Sequence, residues 1–525
     1  MRLLIKNGTI LDGSGREEQQ GDILIEDDII KQISTNRPIK DKVDKTIEAR
    51  DYFVAPGFID INNESDHYLT LFTNPQLESL IFQGITTIII GNNGSSLAPI
   101  FKENVRSIRK WGTVNINIDW QTMAEFLKKL EKTKLFVNVA SFVGHSTIRR
   151  GIIGEDFRDL TDKELNQLIL LISQSLKEGA VGISCGLKYN HSRQTPFFEL
   201  LNLARLAKRY NVPIVFQPRY EKENLLNFIE EIETLTETLT NKNCPKIEIT
   251  HLYVYKNIKD ELRQSIFLLE NFKNRGFDIN FDLPPFTLVS NPLYLCFPSW
   301  FLYGNFEIMI NYLKDNHIYK RLLSDLKGFN YDFSKMIVSR AQNNLSSFNG
   351  KSISYLAQKR NISNEEMLIE LFKINDGRIT IIYDELCWPE LLGLLEHPLS
   401  IVSTLNPGLN YSHFDFLSHP ASFNTFPRFL ALVKEKRVDL SWAEAIRKIT
   451  YEPALKIGLK KRGLLAKNYF ADLVILDPQK LNSEIDLRNP IKKPDGIKYV
   501  IINGKFVIGN GEFKNTANGR VLKRS

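Results

Sequence analysis

Apolar and polar positions alternate with a period of two at both ends of the chain. RLLIKNGTI at the start carries an Asn-Gly pair, and GDILIEDDIIKQI and KTIEA follow it, separated by Gly and Asp. Such runs predict β-strands, with a hairpin turn at the Asn-Gly pair. FADLVILDP, GIKYVIINGKFVI and an NGE turn repeat the signature near the C-terminus. Two β segments this far apart in sequence predict one small β-sandwich domain built from both termini, residues 1–53 with 456–525.

Between them the pattern changes. Apolar, β-rich runs recur at FVAPGFIDI, TTIIIGN, LFVNVASFVGH, AVGISCGL, VPIVFQPR, KIEITHL, FDINFDL and LSIVSTL. Helical periodicity fills the gaps, as in LNQLILLISQSLKEG, ELLNLARLAKRYN and ELRQSIFLLENFKNRG, the last with Gly276 at its C-cap. Strands apolar on both faces and alternating with helices are the mark of a parallel sheet covered by helices. Eight of them predict an α/β protein with a (β/α)8 TIM-like barrel over residues 54–455, its site at the strand C-termini. Residues 287–378, rich in Phe, Tyr and Asn, interrupt the repeat before the eighth strand and read as an inserted lid or subdomain.

Composition narrows the class. The chain has 525 residues, 43% of them hydrophobic, enough for a large core. A balance of 68 basic against 61 acidic residues is too even for a nucleic-acid surface, and the basic tail GRVLKRS reads as solvated. The cysteines at 185, 244, 296 and 387 form no CxxC pair and read as free thiols in a reducing compartment. No secretory signal opens the chain and no apolar run reaches the roughly 18 residues of a membrane span. The expected location is the cytoplasm, without nucleic-acid or membrane partners.

Seven stretches, taken in order, resemble the N-acyl-D-amino-acid deacylase (D-aminoacylase) branch of the amidohydrolase superfamily. They are VAPGFID at 54–60, QGITTIIIGNNGSSLAP at 83–99, FVGHSTIRR at 142–150, GAVGISCGLKY at 179–189, ITHL at 249–252, FNTFPRFLALVKE at 423–435 and AEAIRKITYEPALKIGLKKRGLLAKNYFADLVILDP at 443–478. The resemblance implies hydrolysis of a non-peptide amide C–N bond by a metal-activated water, with zinc as the family cofactor and an N-acyl amino acid or related amide as substrate. It also assigns roles by position. The family's His-x-His pair falls on Asn62 and Glu64, its metal-binding cysteine on Asn93, and its strand-five and strand-six histidines on Gln217 and His251. Its catalytic aspartate falls on Thr404. The groups that hold the substrate carboxylate fall on Tyr253, Ala421 and Pro284, whereas Tyr189 matches.

These substitutions bear on the chemistry. A bound divalent metal lowers the pKa of water from about 15.7 to about 7. Catalytic zinc takes three protein ligands from His, Cys and carboxylates, and amide side chains are weak, neutral donors. Glu64, His251 and Asp66 are the residues left to hold at most one divalent metal, or none, and Thr404 supplies no carboxylate to take a proton from water. Asp66 also fits a turn cap, and His67 a solvent-facing position in the mouth loop. His145 is expected to donate a hydrogen bond inside the mouth or to satisfy a loop carbonyl, Asp60 to hold barrel backbone, Arg428 to fix the loop leading into the helix after strand eight, and Cys185 to pack in a strand. His419 reads as a loop residue. His191, His317, His397 and His413 have no supporting context. Two readings follow: a deacylase-like hydrolase without the family's binuclear metal site, or a catalytically inactive barrel that binds a ligand at its mouth or a protein through 287–378. A third, metal-independent chemistry on Glu64, Asp66 and His145, rests on polar residues in one neighbourhood alone.

Overall fold

The computed structural model describes residues 1–108, 116–219, 224–239, 244–256, 258–412, 417–485 and 490–524, the side chains of 106, 107 and 343 excepted; His413 lies outside them. The eight strands read from the sequence form in order: Phe58–Asp60, Ile85–Ile90, Asn138–Ser141 (continued by Val143–Gly144), Ile183–Gly186, Pro213–Gln217, Lys246–Ile249, Ile279–Leu283 and Ser400–Val402. Neighbours pair in parallel. On strands five to seven Ile214, Phe216, Ile247, Ile249, Ile279 and Phe281 belong to the main core. Val215, Gln217, Glu248, Thr250, Asn280 and Asp282 alternate with them and face the barrel interior. Helices cover the outside. Asp162–Lys177 starts from a capping box of Thr161 with Glu164, and Lys259–Asn274 ends before Gly276 at φ +90°.

The run FVAPGFIDI, expected as one strand, is two. Phe53–Pro56 joins the terminal sheet and Phe58–Asp60 the barrel. Gly57 sits between them, where a Cβ would stand 2.2 Å from Thr86 Oγ1; only glycine lets the chain pass from one sheet to the other there. The terminal strands form a single nine-stranded sheet drawn from both ends of the chain. Its first strand, Arg2–Ile10, runs straight through the Asn-Gly pair. The register shifts between Ile5 and Gly8 with Asn7 at φ 57°, so the pair makes a bulge in place of the expected hairpin turn. Asp472 joins this sheet to the barrel: it accepts from Asn503 N (2.7 Å), Asn138 Nδ2 (3.2 Å) and the Arg462 guanidinium.

The insertion folds around a three-stranded antiparallel sheet of Leu288–Pro292, Ile337–Arg340 and Thr380–Asp384, the last past residue 378. The C-terminal tail, expected to be solvated, is docked. Val139 N donates to Arg520 O (2.9 Å) and Leu522 N to Val139 O (2.8 Å), and Leu522 packs against the interior cluster of Ile61, Ile89, Phe142 and Ile401. The edge of strand three and an apolar contact hold what charge alone would leave in water. Among the described residues no helix is long and apolar enough to cross a membrane.

Candidate functional site

Strand one ends in Asp60, Asn62, Asn63 and Glu64, and strand eight in Thr404. No ladder joins these two strands in the sheet; side chains close the seam. Asp60 Oδ1 accepts from Thr404 N (2.9 Å), and Oδ2 from Thr404 Oγ1 (2.5 Å) and Asn63 Nδ2 (2.9 Å). Leu405 N donates to Asn62 O (3.0 Å). Asp60 is fully buried, and desolvation raises its pKa to about 6 against the pull of these donors. Asp60 is thus the structural residue the sequence predicts. Thr404 donates its hydroxyl proton to that carboxylate, so the residue that the resemblance sets in the base position is already engaged.

A second chain of bonds crosses the interior. Asn62 Nδ2 donates to Thr250 Oγ1 (2.5 Å), which lies 3.1 Å from Asp282 Oδ1 and 2.9 Å from His251 Nδ1. Ser403 Oγ donates to Asp282 Oδ1 (2.6 Å). Burial raises the Asp282 carboxyl to about 7, opposed by Ser403 and Thr250. His251, in the left-handed region at φ 57° and edge-on to Tyr253 (5.4 Å), is held neutral: burial lowers its pKa well below 6.5, with Lys188 and His67 adding to the effect. Asp282 and Lys188 are functional-looking groups the sequence reading missed. Lys188 is buried and donates to Asn291 Oδ1 of the insertion (2.6 Å). A polar residue inside an apolar strand was the available signal for Asp282, and the GLKY stretch contained Lys188.

Glu64 and Asp66 stand together. Asn93 Nδ2 donates to Glu64 Oε1 (3.0 Å) and Gly91 N to Asp66 Oδ2 (2.9 Å), so Asp66 holds the distant turn after strand two and does not cap the helix that follows it. His67 Nδ1 is 3.9 Å from Glu64 Oε1 and its Nε2 3.9 Å from Asp66 Oδ2. Its side chain is 11% exposed, so it faces solvent much less than expected. Desolvation raises Glu64 to about 7, with His67 opposing; it also raises Asp66. His67 is raised because the two carboxylates outweigh its own burial. Gly91 and Gly94, both at positive φ, shape the intervening turn. A Cβ on Gly94 would lie 2.5 Å from Gly186 N, so strand four closes against it.

The remaining expected residues scatter. His145 is fully buried with Nε2 2.6 Å from Glu199 Oε1, beside Arg149; it turns to the helix Phe197–Tyr210 and not to Glu64 or Asp66. Gln217 is buried on strand five, its Oε1 without a partner. Tyr189 borders a cavity together with Asp66, His67 and Asn93. Pro284 is buried just past strand seven, Tyr253 packs on His251 and Tyr255, and Ala421 begins the helix Ala421–Lys434. His419 accepts from Ala421 N at Nδ1 (3.0 Å) and holds Leu288 O at Nε2 (3.2 Å); burial pushes it down to about 4. Arg428 Nε donates to Pro285 O (2.8 Å), so it holds the segment after strand seven and not the expected loop into the helix after strand eight, and burial raises the Cys185 thiol. His397 pairs with Glu270 (3.0 Å).

An α/β barrel carrying a small terminal β domain, with its polar cluster at the strand C-termini, is the architecture of amidohydrolase-fold proteins. The amidohydrolase family model matches residues 403–508. D-aminoacylase of Alcaligenes xylosoxydans xylosoxydans is 26% identical over 527 residues, covering 100% of this chain and 98% of its own. N-acyl-D-aspartate deacylase of the same organism is 25% identical over 512 residues, covering 96% and 91%. Among solved structures, N-acyl-D-glutamate deacylase of Bordetella bronchiseptica, complexed with zinc and a phosphonate inhibitor, superposes with a TM-score of 0.82 at 21% identity, covering 99% of each chain. A D-aminoacylase crystal structure gives 0.82 at 24%, again covering 99% of each. The chain is similar along its whole length, in sequence and in structure, to D-aminoacylase and N-acyl-D-glutamate deacylase.

The zinc bound by such a relative is poorly matched by the donors here. Among the described residues no three His, Cys, Asp or Glu side chains stand close enough together to hold a metal ion. Asn62 Oδ1, Asn93 Oδ1 and Gln217 Oε1, at positions where the resemblance places metal ligands, are amide oxygens buried without partners. Neutral amide oxygens suit hard cations or hydrogen-bond donors better than zinc.

Proposed function

We propose that this chain is a deacylase-like barrel that has lost metal-dependent amide hydrolysis and acts by binding a small ligand at its mouth. The observation that carries this reading is the seam: Thr404 Oγ1 stands 2.5 Å from Asp60 Oδ2, so the base position takes part in a buried hydrogen-bond network and offers no free carboxylate. The amides at Asn62, Asn93 and Gln217 point the same way, because proton transfer and metal capture fail together. Relatives named for N-acyl-D-amino acids keep that substrate class as the competing reading, with Glu64, His251 and Asp66 as ligands of one divalent metal. Contact with a protein through the insertion at 287–378 is a further route for a non-catalytic barrel.

Elemental analysis of protein expressed with added zinc and purified without chelator, paired with assays on N-acyl-D-amino acids, tests the proposal. The expected result is far less than one zinc per chain and no amino acid released. About one zinc per chain, with hydrolysis that Glu64→Ala and His251→Ala each abolish, would overturn it.

A further inference from the structure

The barrel has a second break besides the seam between strands one and eight. Among the described residues the ladder joins strand three to strand four only through Val143–Gly144, and Asn138–Ser141 belongs to the separate sheet of strands one to three. The C-terminal tail fills the gap this leaves, at the end of the barrel away from the mouth. Val139 and Val521 are bridged in parallel, with Val139 N donating to Arg520 O (2.9 Å) and Leu522 N to Val139 O (2.8 Å). On the other side Arg524 N donates to Gly179 O (3.1 Å), just before strand four.

The gap is shaped for this segment. A Cβ on Gly519 would collide with Val137 O, and one on Gly179, at φ +119°, would stand 3.2 Å from Lys523 Cβ and Cγ; the absence of both side chains lets the tail lie flat. Each cation of the tail meets a group of its own: Arg520 pairs with Asp28 (2.7 Å), Lys523 with Glu131 (2.7 Å), and Arg524 lies over the Tyr210 ring at 5.0 Å. Leu522 reaches the interior apolar cluster. Yet Val521, Leu522 and Arg524 are only partly buried and Lys523 is exposed, so the tail can leave without opening the core. An unpaired strand edge then presents N–H and C=O groups to any extended segment that fits. We infer that the gap between strands three and four is an acceptor site for an extended basic peptide, filled in cis by the chain's own tail.

Hydrogen exchange on the full-length protein, read by mass spectrometry, tests the site. Amides at 519–524 are expected to be protected. Gly519→Val and Leu522→Asp are each expected to speed their exchange at least about ten-fold and to lower the thermal midpoint. Adding the free peptide GRVLKRS to either variant is expected to raise the midpoint saturably, and the same peptide with Leu522→Asp to leave it unchanged. Should Leu522→Asp not fold, Gly519→Val carries the comparison. A tail that exchanges freely in the parent, variants that keep its protection, a folded variant that ignores the peptide, or equal responses to both peptides would overturn the inference. Protection that rises with protein concentration would show that a second copy supplies the tail, and would overturn the filling in cis.

Discussion

Two polar regions lie next to each other at the barrel mouth and are finished differently. In the seam between strands one and eight, Asp60 accepts from Thr404 N, Thr404 Oγ1 and Asn63 Nδ2, and the substitutions have cross-linked the barrel. Beside it, Asp66 Oδ1, Asn93 Oδ1 and Asn190 Oδ1 are buried without hydrogen-bond partners. Buried polar groups therefore end in two ways in one molecule. In the seam they satisfy each other, and beside it some of their oxygens stay unpaired. A buried acceptor without a donor costs about 1–3 kcal/mol, which marks the second region as the place where stability has been given up.

The comparison breaks first at Asp60. Asp60→Ala leaves the Thr404 and Asn63 donors without an acceptor in a closed core, and urea unfolding should show a loss of about 3–5 kcal/mol; a loss under about 1 kcal/mol would mean the seam holds nothing together. The second test is pH. The Asp282 carboxyl titrates at about 7 in the fold and at about 4 in the unfolded chain. Between those values the native state keeps a proton that the unfolded state has released, so stability falls as pH rises. The contribution is fully present below about pH 4 and gone above about pH 7, an effect of about 4 kcal/mol. Thermal midpoints across this range should decline toward neutrality, and Asp282→Asn should flatten the decline; an unchanged slope in the variant would place the titration elsewhere. Third, Thr404→Asp restores the family's acid beside Asp60. Two carboxylates in one dry seam repel, so the variant should lose about 2 kcal/mol at pH 7, less at pH 5, and show no hydrolysis. Gain of amide cleavage would show that only the base was missing.

How much of this was readable from the chain depended on range. The eight barrel strands announce themselves because each is a local run of apolar residues, and the two terminal β segments share a local alternation. Substitutions at Asn62, Asn93 and Thr404 stand out against the motifs around them. What failed to show is what needs a distant partner. Asn62 reaches Thr250 across 188 positions, and Thr404 reaches Asp60 across 344. His145 looked like a mouth residue until Glu199, on another helix, claimed its ring. The tail GRVLKRS reads as solvated from its charges, while its backbone adds to the edge of strand three, a contact that side-chain patterning does not encode. The Asn-Gly pair at Asn7 carries the same dihedral preference in a bulge as in a turn, so composition alone could not choose.

The smallest predicted effect sharpens the comparison most. Asn93→Gly removes the hydrogen bond to Glu64 and at the same time an unsatisfied buried oxygen, and it puts glycine at a φ of 55°, where a side chain is disfavoured. Loss and gains nearly cancel, so stability should stay within about 0.5 kcal/mol of the parent, although the residue is as deeply buried as those in the seam. Near-neutral stability would set Asn93 apart from the seam residues. A loss of about 2 kcal/mol or more would place Asn93 with Asp60 among the structural residues.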